Sequence, residues 1–254
     1  MELNKIYNED CLEGMKRIPD GSVDMILCDL PYGTTACAWD AIIPFEPLWE
    51  QYERVIKDNG AIVLTTSQPF TTKLINSNIN IYRYNLVWEK DQGTDFMMAK
   101  KKPLKNFEDV CIFYKKQPVY NPQMVDVGKG WVKRDTGKIF NQILGQQEKE
   151  INKKSNGSLR YPTSILKYSR LKQKGFHPTQ KPVALFEYLI KTYTNKGETV
   201  LDNCMGSGTT AIACMNTERN FIGFELDETY YEKSLERIKN HTTQTDIFDV
   251  LEVD

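Results

Sequence analysis

Long apolar runs, histidines and paired cysteines are the features that this sequence has least of. No apolar stretch reaches the roughly 20 residues of a membrane-spanning helix, and the N-terminus lacks the apolar core of a signal peptide. The two histidines and the six cysteines, none of them in a C-x-x-C pair, disfavour a zinc site. We therefore expect a cytoplasmic protein with reduced thiols, no bound metal and no membrane contact.

Positive charge is concentrated in one third of the chain. Residues 96–185 contain 19 lysines and arginines against 6 acidic residues, whereas the rest contains 14 against 28. Lysine and arginine neutralise phosphate groups, which is the dominant sequence-independent term in nucleic-acid binding. From 115 to 176 regular periodicity fades and aromatic residues are interleaved with basic ones, a pattern that suits backbone contact and base stacking. The alternative for this segment is an unstructured linker.

The first motif that carries chemistry follows a short apolar run formed by Val23, Met25, Ile26, Leu27 and Cys28, which is typical of a strand buried in a parallel sheet. The run ends at Asp29, and Pro31 and Gly33 then favour a turn. Ligands of open α/β sheets bind beyond the carboxyl ends of the strands. There, a carboxylate and a backbone carbonyl can accept hydrogen bonds from an exocyclic amine of a nucleobase, and the Tyr32 ring can stack on the base. The alternative is an ordinary strand end.

The second motif is a strand at 198–202 followed by Gly206-Ser207-Gly208 and an apolar helix. Glycines let backbone amides approach a ligand at a helix N-terminus. No lysine follows the second glycine, so the segment is not a P-loop, and the full G-x-G-x-x-G pattern is absent. Glu225 ends the next strand, where an acid can bind ribose hydroxyls, and Asp202 can hold a cationic or amino group. The alternative is a tight turn without a ligand.

The periodicity of apolar residues elsewhere predicts alternating strands and helices. Asn59-Gly60 is interpreted as the C-terminal signal of the first long helix. A lysine-rich connection, 90–108, separates two strands, and the acidic tail from residue 242 has no clear pattern. We predict strands at 5–7, 61–65, 81–89, 109–114, 198–202 and 220–225, and helices at 44–58, 69–76, 182–193, 211–215 and 230–240.

Both motifs resemble those of one enzyme family. Asp29-Leu30-Pro31-Tyr32 is similar to the Asp-Pro-Pro-Tyr motif of amino-group DNA methyltransferases, and Asp202 to Thr210 is similar to their S-adenosylmethionine loop. His177 to Pro182 resembles the segment that precedes this loop and closes over the methionine part. The order is catalytic motif, target-recognition region, then cofactor motif, as in the circularly permuted β class. The resemblance covers nearly all of the chain except roughly residues 115–170.

The resemblance implies a fold and a domain organisation. The expected fold is α/β, with a doubly wound, mostly parallel, seven-stranded Rossmann-like sheet. Residues 1–114 and 176–254 would form the methyltransferase domain, and residues 115–175 an inserted, irregular target-recognition region that binds DNA. β-class relatives are often dimers, so a homodimer is possible by analogy. The host would be a prokaryotic cell or a phage-infected one.

The resemblance also implies the site. Asp29 and Pro31 would bind the target amine and Tyr32 would stack on the flipped base, while Glu225 would bind the cofactor's ribose and Asp10 its adenine amine. Asp10 has an alternative role as a helix N-cap. The full set of expected cofactor-binding residues is Asp10, Cys11, Asp29, Lys181, Asp202, Met205, Gly206, Gly208, Thr209, Thr210, Glu225 and Leu226.

Three departures from the family pattern affect these expectations. Leu30 replaces the first proline of the catalytic motif and relaxes its turn. Asn203-Cys204 replaces Pro-Phe, which changes the contacts available to the cofactor. Phe107 stands where relatives often have histidine before the glutamate.

The reaction expected from the resemblance is methyl transfer from S-adenosylmethionine to adenine N6 in duplex DNA after base flipping. Asp at position 29, rather than Ser, favours adenine N6 over cytosine N4. Transfer to cytosine C5 is disfavoured because it needs a Pro-Cys nucleophile, and the chain has no Pro-Cys pair. The alternatives are a cytosine-N4 methyltransferase, a catalytically silent DNA-binding subunit, and a methyltransferase acting on RNA or protein amines.

Overall fold

The computed structural model describes residues 1–33, 40–128, 158–169 and 180–251. The chain divides into two compact units, Met1–Asn121 with Ser164–Asp254, and Pro122–Thr163. Among the described residues, none of the helices combines the length and apolarity that crossing a bilayer requires.

The larger unit is built on an eight-stranded sheet. In chain order the strands are β1 (Lys5–Asn8), β2 (Val23–Asp29), β3 (Ile56–Thr66), β4 (Tyr82–Thr94), β5 (Lys105–Phe113), β6 (Val125–Asp126), β7 (Leu159–Arg160), β8 (Ile165–Lys167), β9 (Thr199–Asp202) and β10 (Asn220–Glu225). The order across the sheet is β1-β10-β9-β2-β3-β5-β4-β8, and only β5 is antiparallel to its neighbours. Strands β6 and β7 form a separate antiparallel pair in the smaller unit.

Helices cover both faces of the large sheet. They are α1 (Cys11–Met15), α2 (Phe45–Val55), α3 (Phe70–Ser77), α4 (Val183–Tyr193), α5 (Thr209–Asn216) and α6 (Glu228–Leu251). Met25 and Leu27 of β2 pack in one apolar cluster with α4 and α5, whereas Ile26 and Cys28 pack in a second with α1, α2 and α3. Successive strand residues point to opposite faces, so a strand covered on both faces has apolar residues at successive positions, as Met25 to Cys28 are. The predicted doubly wound, mostly parallel sheet is confirmed, with β8 as a strand beyond the seven expected.

The predicted end of α2 is wrong. The helix ends at Val55, and the following residues already belong to β3. Between its pairings with Val23 and Met25, β3 shifts register, and a Cβ at Gly60 would lie 2.8 Å from the carbonyl oxygen of Asp24. Gly60 therefore permits a close backbone approach inside a sheet rather than capping a helix.

Two further segments are more regular than predicted. β4 and β5 extend to Thr94 and Lys105, so the lysine-rich connection is a hairpin with a 3₁₀ turn, Phe96–Met98, near its tip. Helix α6 continues to Leu251, through most of the tail whose sequence had no clear pattern.

Candidate active site

The two motifs meet because their strands are neighbours. β2 pairs in parallel with β9 through Met25 and Val200, so Asp29 and Asp202 end adjacent strands at the same edge of the sheet. A cavity of about 530 Å³ opens at this edge. Its lining includes both Asp29 and Gly206, so the carboxylate and the glycine loop share one space.

Asp29 is held by three donors. Its Oδ1 accepts hydrogen bonds from the Tyr32 hydroxyl at 2.7 Å and the Thr65 hydroxyl at 2.5 Å, and its Oδ2 accepts one from Lys181 Nζ at 2.5 Å. Lys181 is only 5% exposed, and its Nζ also lies 3.4 Å from Glu108 Oε2. Glu108 in turn forms an ion pair with the buried Lys90. Negative and positive groups therefore alternate in a largely buried row that ends at Asp29.

The charges of this row support one another. Burial by itself lowers the pKa of Lys181, but the carboxylates of Asp29 and Glu108 outweigh burial and raise it. Burial raises the pKa of Glu108, but the ammonium groups of Lys181 and Lys90 outweigh burial and lower it. The protonated lysine and the ionised glutamate are therefore the stable forms at neutral pH.

The turn after Asp29 is shaped by a residue that the sequence did not single out. Asp40 is buried, and its Oδ1 accepts the backbone N–H groups of Tyr32 at 2.7 Å and Gly33 at 2.9 Å. The Tyr32 ring stacks on Phe70 with centroids 5.3 Å apart and an interplanar angle of 29°. Burial, followed by the Asp29 charge, raises the pKa of Tyr32, so its hydroxyl is a neutral donor. The turn is thus fixed although Leu30 replaces proline.

The glycine loop has the backbone conformation that glycine favours. Gly206 and Gly208 have φ of +54° and +78°. The Gly206 N–H donates to Glu225 Oε2 at 2.7 Å, and Glu225 Oε1 accepts the N–H of Asp227 at 2.9 Å. Burial raises the pKa of Glu225, and these two backbone bonds oppose the rise. The loop and the acid of the next strand are therefore joined at the cavity wall.

Asp202 lies at the base of the same loop. Its Oδ1 accepts the N–H of Cys204 at 3.0 Å, and its Oδ2 accepts the hydroxyl of Thr210. Burial raises the pKa of Asp202 to about 7, against which both hydrogen bonds act. A cationic group in the cavity beside Asp202 would stabilise its ionised form and lower this pKa.

The sequence profile of the DNA methylase family, N6_N4_Mtase, matches residues 23–236. The chain belongs to this family. It is 24% identical to the Type II methyltransferase M1.MboII of Moraxella bovis, over 92% of the chain and 96% of that protein. It is 27% identical to the DNA adenine methyltransferase YhdJ of Escherichia coli (strain K12), over 93% of the chain and 83% of that protein.

Solved structures agree with this assignment to the DNA methylase family. The crystal structure of the M1.HpyAVI–SAM complex has a TM-score of 0.61 and 26% identity, covering 92% of this chain and 98% of that one. The PvuII DNA methyltransferase, which is cytosine-N4-specific, has a TM-score of 0.68, covering 96% of this chain and 91% of that one. Because its identity is 16%, the second likeness shows the fold alone. The predicted family and Rossmann-like methyltransferase fold are confirmed.

The cavity of this DNA methylase brings together most of the residues that the sequence predicted. Gly208 is the exception, because it is the N-cap residue of α5 and faces Ser234 of α6. His177 lies outside the described residues. The predicted residues that line the cavity are Asp10, Cys11, Asp29, Pro31, Tyr32, Lys181, Asp202, Met205, Gly206, Thr209, Thr210, Glu225 and Leu226.

Two of these residues have contacts that the resemblance did not indicate. Asp10 caps α1, with its Oδ1 accepting the N–H groups of Leu12 at 2.8 Å and Glu13 at 3.2 Å. Lys181, expected to bind the cofactor, directs its ammonium group to Asp29. That either residue also touches a cofactor stays a prediction.

Asn203, one of the two residues that replace Pro-Phe, has hydrogen-bond partners for its side-chain amide. The Tyr52 hydroxyl of α2 donates to Asn203 Oδ1 at 2.5 Å, and Asn203 Nδ2 lies 3.5 Å from the sulfur of Cys11. The buried amide is thereby satisfied on both sides, as a buried polar group requires. In the part of the chain that is described, no cluster of His, Cys, Asp or Glu is arranged to hold a metal ion.

Proposed function

We propose that this DNA methylase transfers a methyl group from S-adenosylmethionine to N6 of an adenine flipped out of duplex DNA. The observation that carries the proposal is the single cavity shared by Asp29 and the Gly206 loop. The group that accepts the target amine and the loop that binds the cofactor must share one cavity if the methyl group is to be transferred in a single in-line displacement.

The residues present fit S-adenosylmethionine. Glu225, at the carboxyl end of β10, suits the ribose hydroxyls, and Asp202 suits the ammonium group of the methionine part. The positive φ of Gly206 brings the loop backbone to the cavity wall without an intervening side chain. A relative of known structure, M1.HpyAVI, was crystallised as a complex with SAM.

In the proposed reaction the protein mainly binds and orients. S-adenosylmethionine supplies an electrophilic methyl group on a sulfonium centre. Asp29 and the turn at Pro31 accept the N–H bonds of the target amine, whose lone pair is otherwise delocalised into the base. Tyr32 stacks on the base and keeps its amine in line. The amine becomes cationic after transfer and then loses its proton, so Asp29 need not act as a strong base.

The residue at position 29 is the reason for proposing adenine rather than cytosine as the methylated base. An aspartate, rather than a serine, begins the catalytic motif, and YhdJ, a relative over most of the chain, is a DNA adenine methyltransferase. The basic segment 96–185 is proposed to contact duplex DNA, with residues 115–175 recognising the target. The homodimer and the cytoplasmic location stay predictions.

The identity of the methylated base can be tested directly. The chain is expressed in a host without adenine or cytosine DNA methylation, and its DNA is digested to nucleosides and also sequenced with modified-base detection. We expect N6-methyladenine in one sequence context with the wild type and none with Asp29→Ala. N4-methylcytosine would contradict the proposed acceptor. Unmodified DNA would contradict the proposed activity and favour a silent DNA-binding subunit.

The proposed cofactor contact at Glu225 predicts a loss of affinity on substitution. Glu225→Ala removes the acceptor of the ribose hydroxyls and also frees the Gly206 N–H from its partner. Hydrogen bonds to charged groups contribute roughly 1.5–3 kcal/mol, so we expect S-adenosylmethionine to bind about 10- to 100-fold more weakly. Isothermal titration calorimetry measures this, with the exposed Glu232→Ala on α6 as the matched control. If both variants bound S-adenosylmethionine with equal affinity, Glu225 would not be a cofactor-binding residue.

A further inference from the structure

The hairpin between β4 and β5 carries exposed apolar side chains at its tip. Thr94 of β4 pairs with Lys105 of β5, and the ten-residue interval between them contains Phe96, 69% exposed, and Met97, 99% exposed. Two adjacent large apolar side chains with this exposure form a candidate surface for a partner.

The tip is held in one shape by its own contacts. The Met98 N–H donates to the Asp95 carbonyl at 2.8 Å, and the Lys101 N–H donates to the Met98 carbonyl at 2.8 Å. Lys102 Nζ also forms an ion pair with Asp95 Oδ2 at 2.7 Å. The apolar side chains are therefore presented on an ordered turn, which lowers the entropic cost of inserting them into a partner.

The hairpin rises from the edge of the sheet where the cavity opens. β4 and β3 are both antiparallel to β5, so the carboxyl end of β4 lies at the same edge as Asp29. Glu108, at the foot of the hairpin, faces Lys181, which holds Asp29. At a rise of about 3.3 Å per strand residue, Leu104, the residue before β5 and the last of the ten-residue interval, lies roughly 13 Å from Glu108. The tip therefore projects from the sheet edge at which Asp29 lies.

Charge beside the tip favours a polyanion as the partner. Lys100 and Lys101 are exposed next to the apolar pair. Phe and Met are among the apolar side chains that DNA-bending proteins insert between base steps, while neighbouring lysines contact phosphates. A second protein surface would not require this flanking charge.

We propose that Phe96 and Met97 form a wedge that enters the DNA stack beside the extruded base and stabilises its flipped state. The inference rests on the proposed function, because it takes duplex DNA as the substrate. Extruding a base leaves a gap in the stack, and apolar side chains that fill the gap remove the bases beside it from water.

The test compares paired and unpaired targets with the double variant Phe96→Ala/Met97→Ala. On a duplex carrying the recognition sequence, we expect kcat/KM to fall about tenfold or more, since two large apolar contacts are lost. With the target base opposite an abasic site, extrusion costs less, and we expect the defect to shrink to within about threefold. A 2-aminopurine at the target position should give a weaker fluorescence increase with the variant than with the wild type.

The matched control is Leu3→Ala/Ile79→Ala, which removes two exposed apolar side chains before β1 and β4, at the opposite edge of the sheet. It should behave as the wild type on both duplexes. A defect that is equally large on the abasic duplex would show a structural role and overturn the wedge. So would an unchanged kcat/KM, or a change in oligomeric state with normal flipping, which would assign the tip to contacts between copies. A wild type inactive on both duplexes would overturn the proposed function itself.

Discussion

Asp29→Asn is expected to reduce kcat at saturating S-adenosylmethionine by about 10²- to 10³-fold, the range seen when one preorganised polar contact is removed from a reacting centre. The amide nitrogen that replaces one oxygen is a donor, so it can accept neither the target N–H nor the bond from Lys181 Nζ. The loss falls on the step in which charge develops on the amine, and it therefore appears in kcat at saturating concentrations of both substrates.

The control for this prediction is Asp58→Asn, which makes the same chemical change at an exposed ion pair with Lys116. Single-turnover methylation of a duplex carrying the recognition sequence measures both variants. Asp58→Asn should retain wild-type rates. If Asp29→Asn also retained its rate within a factor of about two, Asp29 would not be the acceptor of the target amine, and the proposed reaction would lose its central contact.

The sequence was sufficient to predict those parts of the site that depend on short local patterns of residues. In β2, Met25 to Cys28 are apolar at successive positions because helices cover both faces of the sheet, and this pattern is visible without a structure. The two glycines of the glycine loop likewise predict positive φ, which Gly206 and Gly208 both adopt. Since parallel strand ends share an edge, the meeting of the two motifs could be predicted as well.

The sequence could not predict contacts between residues that are distant along the chain, or the burial of charged residues that resemble surface residues. Asp40 accepts the backbone N–H groups of Tyr32 and Gly33 in the turn after Asp29. Nothing in the sequence distinguishes this buried aspartate from the acidic residues of the surface. Lys90 belongs to a lysine-rich segment and looks like a solvent-exposed charge, yet it is buried against Glu108. Lys90 meets Glu108 across the β4–β5 hairpin, and this contact depends on the register of the two strands. The register could not be predicted because the sequence did not show how far β4 and β5 extend.

The buried charge row leads to the second large expected effect, that of Lys181→Met on stability. Methionine fills a similar volume, but it leaves Asp29 and Glu108 with no ammonium group between them. Removing one partner of a buried ion pair typically costs about 3–5 kcal/mol, and we expect the lower end of this range because Glu108 keeps its ion pair with Lys90 and Asp29 is partly exposed. We therefore expect the free energy of unfolding at pH 8 to fall by about this amount in urea denaturation. The matched control is Lys196→Met, which breaks an exposed pair with Glu218 and should cost at most about 1 kcal/mol.

The pH dependence of Lys181→Met separates this cause from a packing defect. In the wild type the pKa of Glu108 is lowered, so its contribution to stability is present above the unfolded-state pKa and is lost as the pH falls through the folded-state value. Without Lys181, the larger of the two positive charges that lower the pKa of Glu108 is lost, so this pKa rises relative to the wild type, and the folded variant binds protons that the wild type does not and loses stability relative to it as the pH rises. The difference between the two proteins should consequently be largest near pH 8 and shrink towards pH 5. A packing defect would give the same difference at both pH values, and that result would show that the row is held by shape rather than by charge.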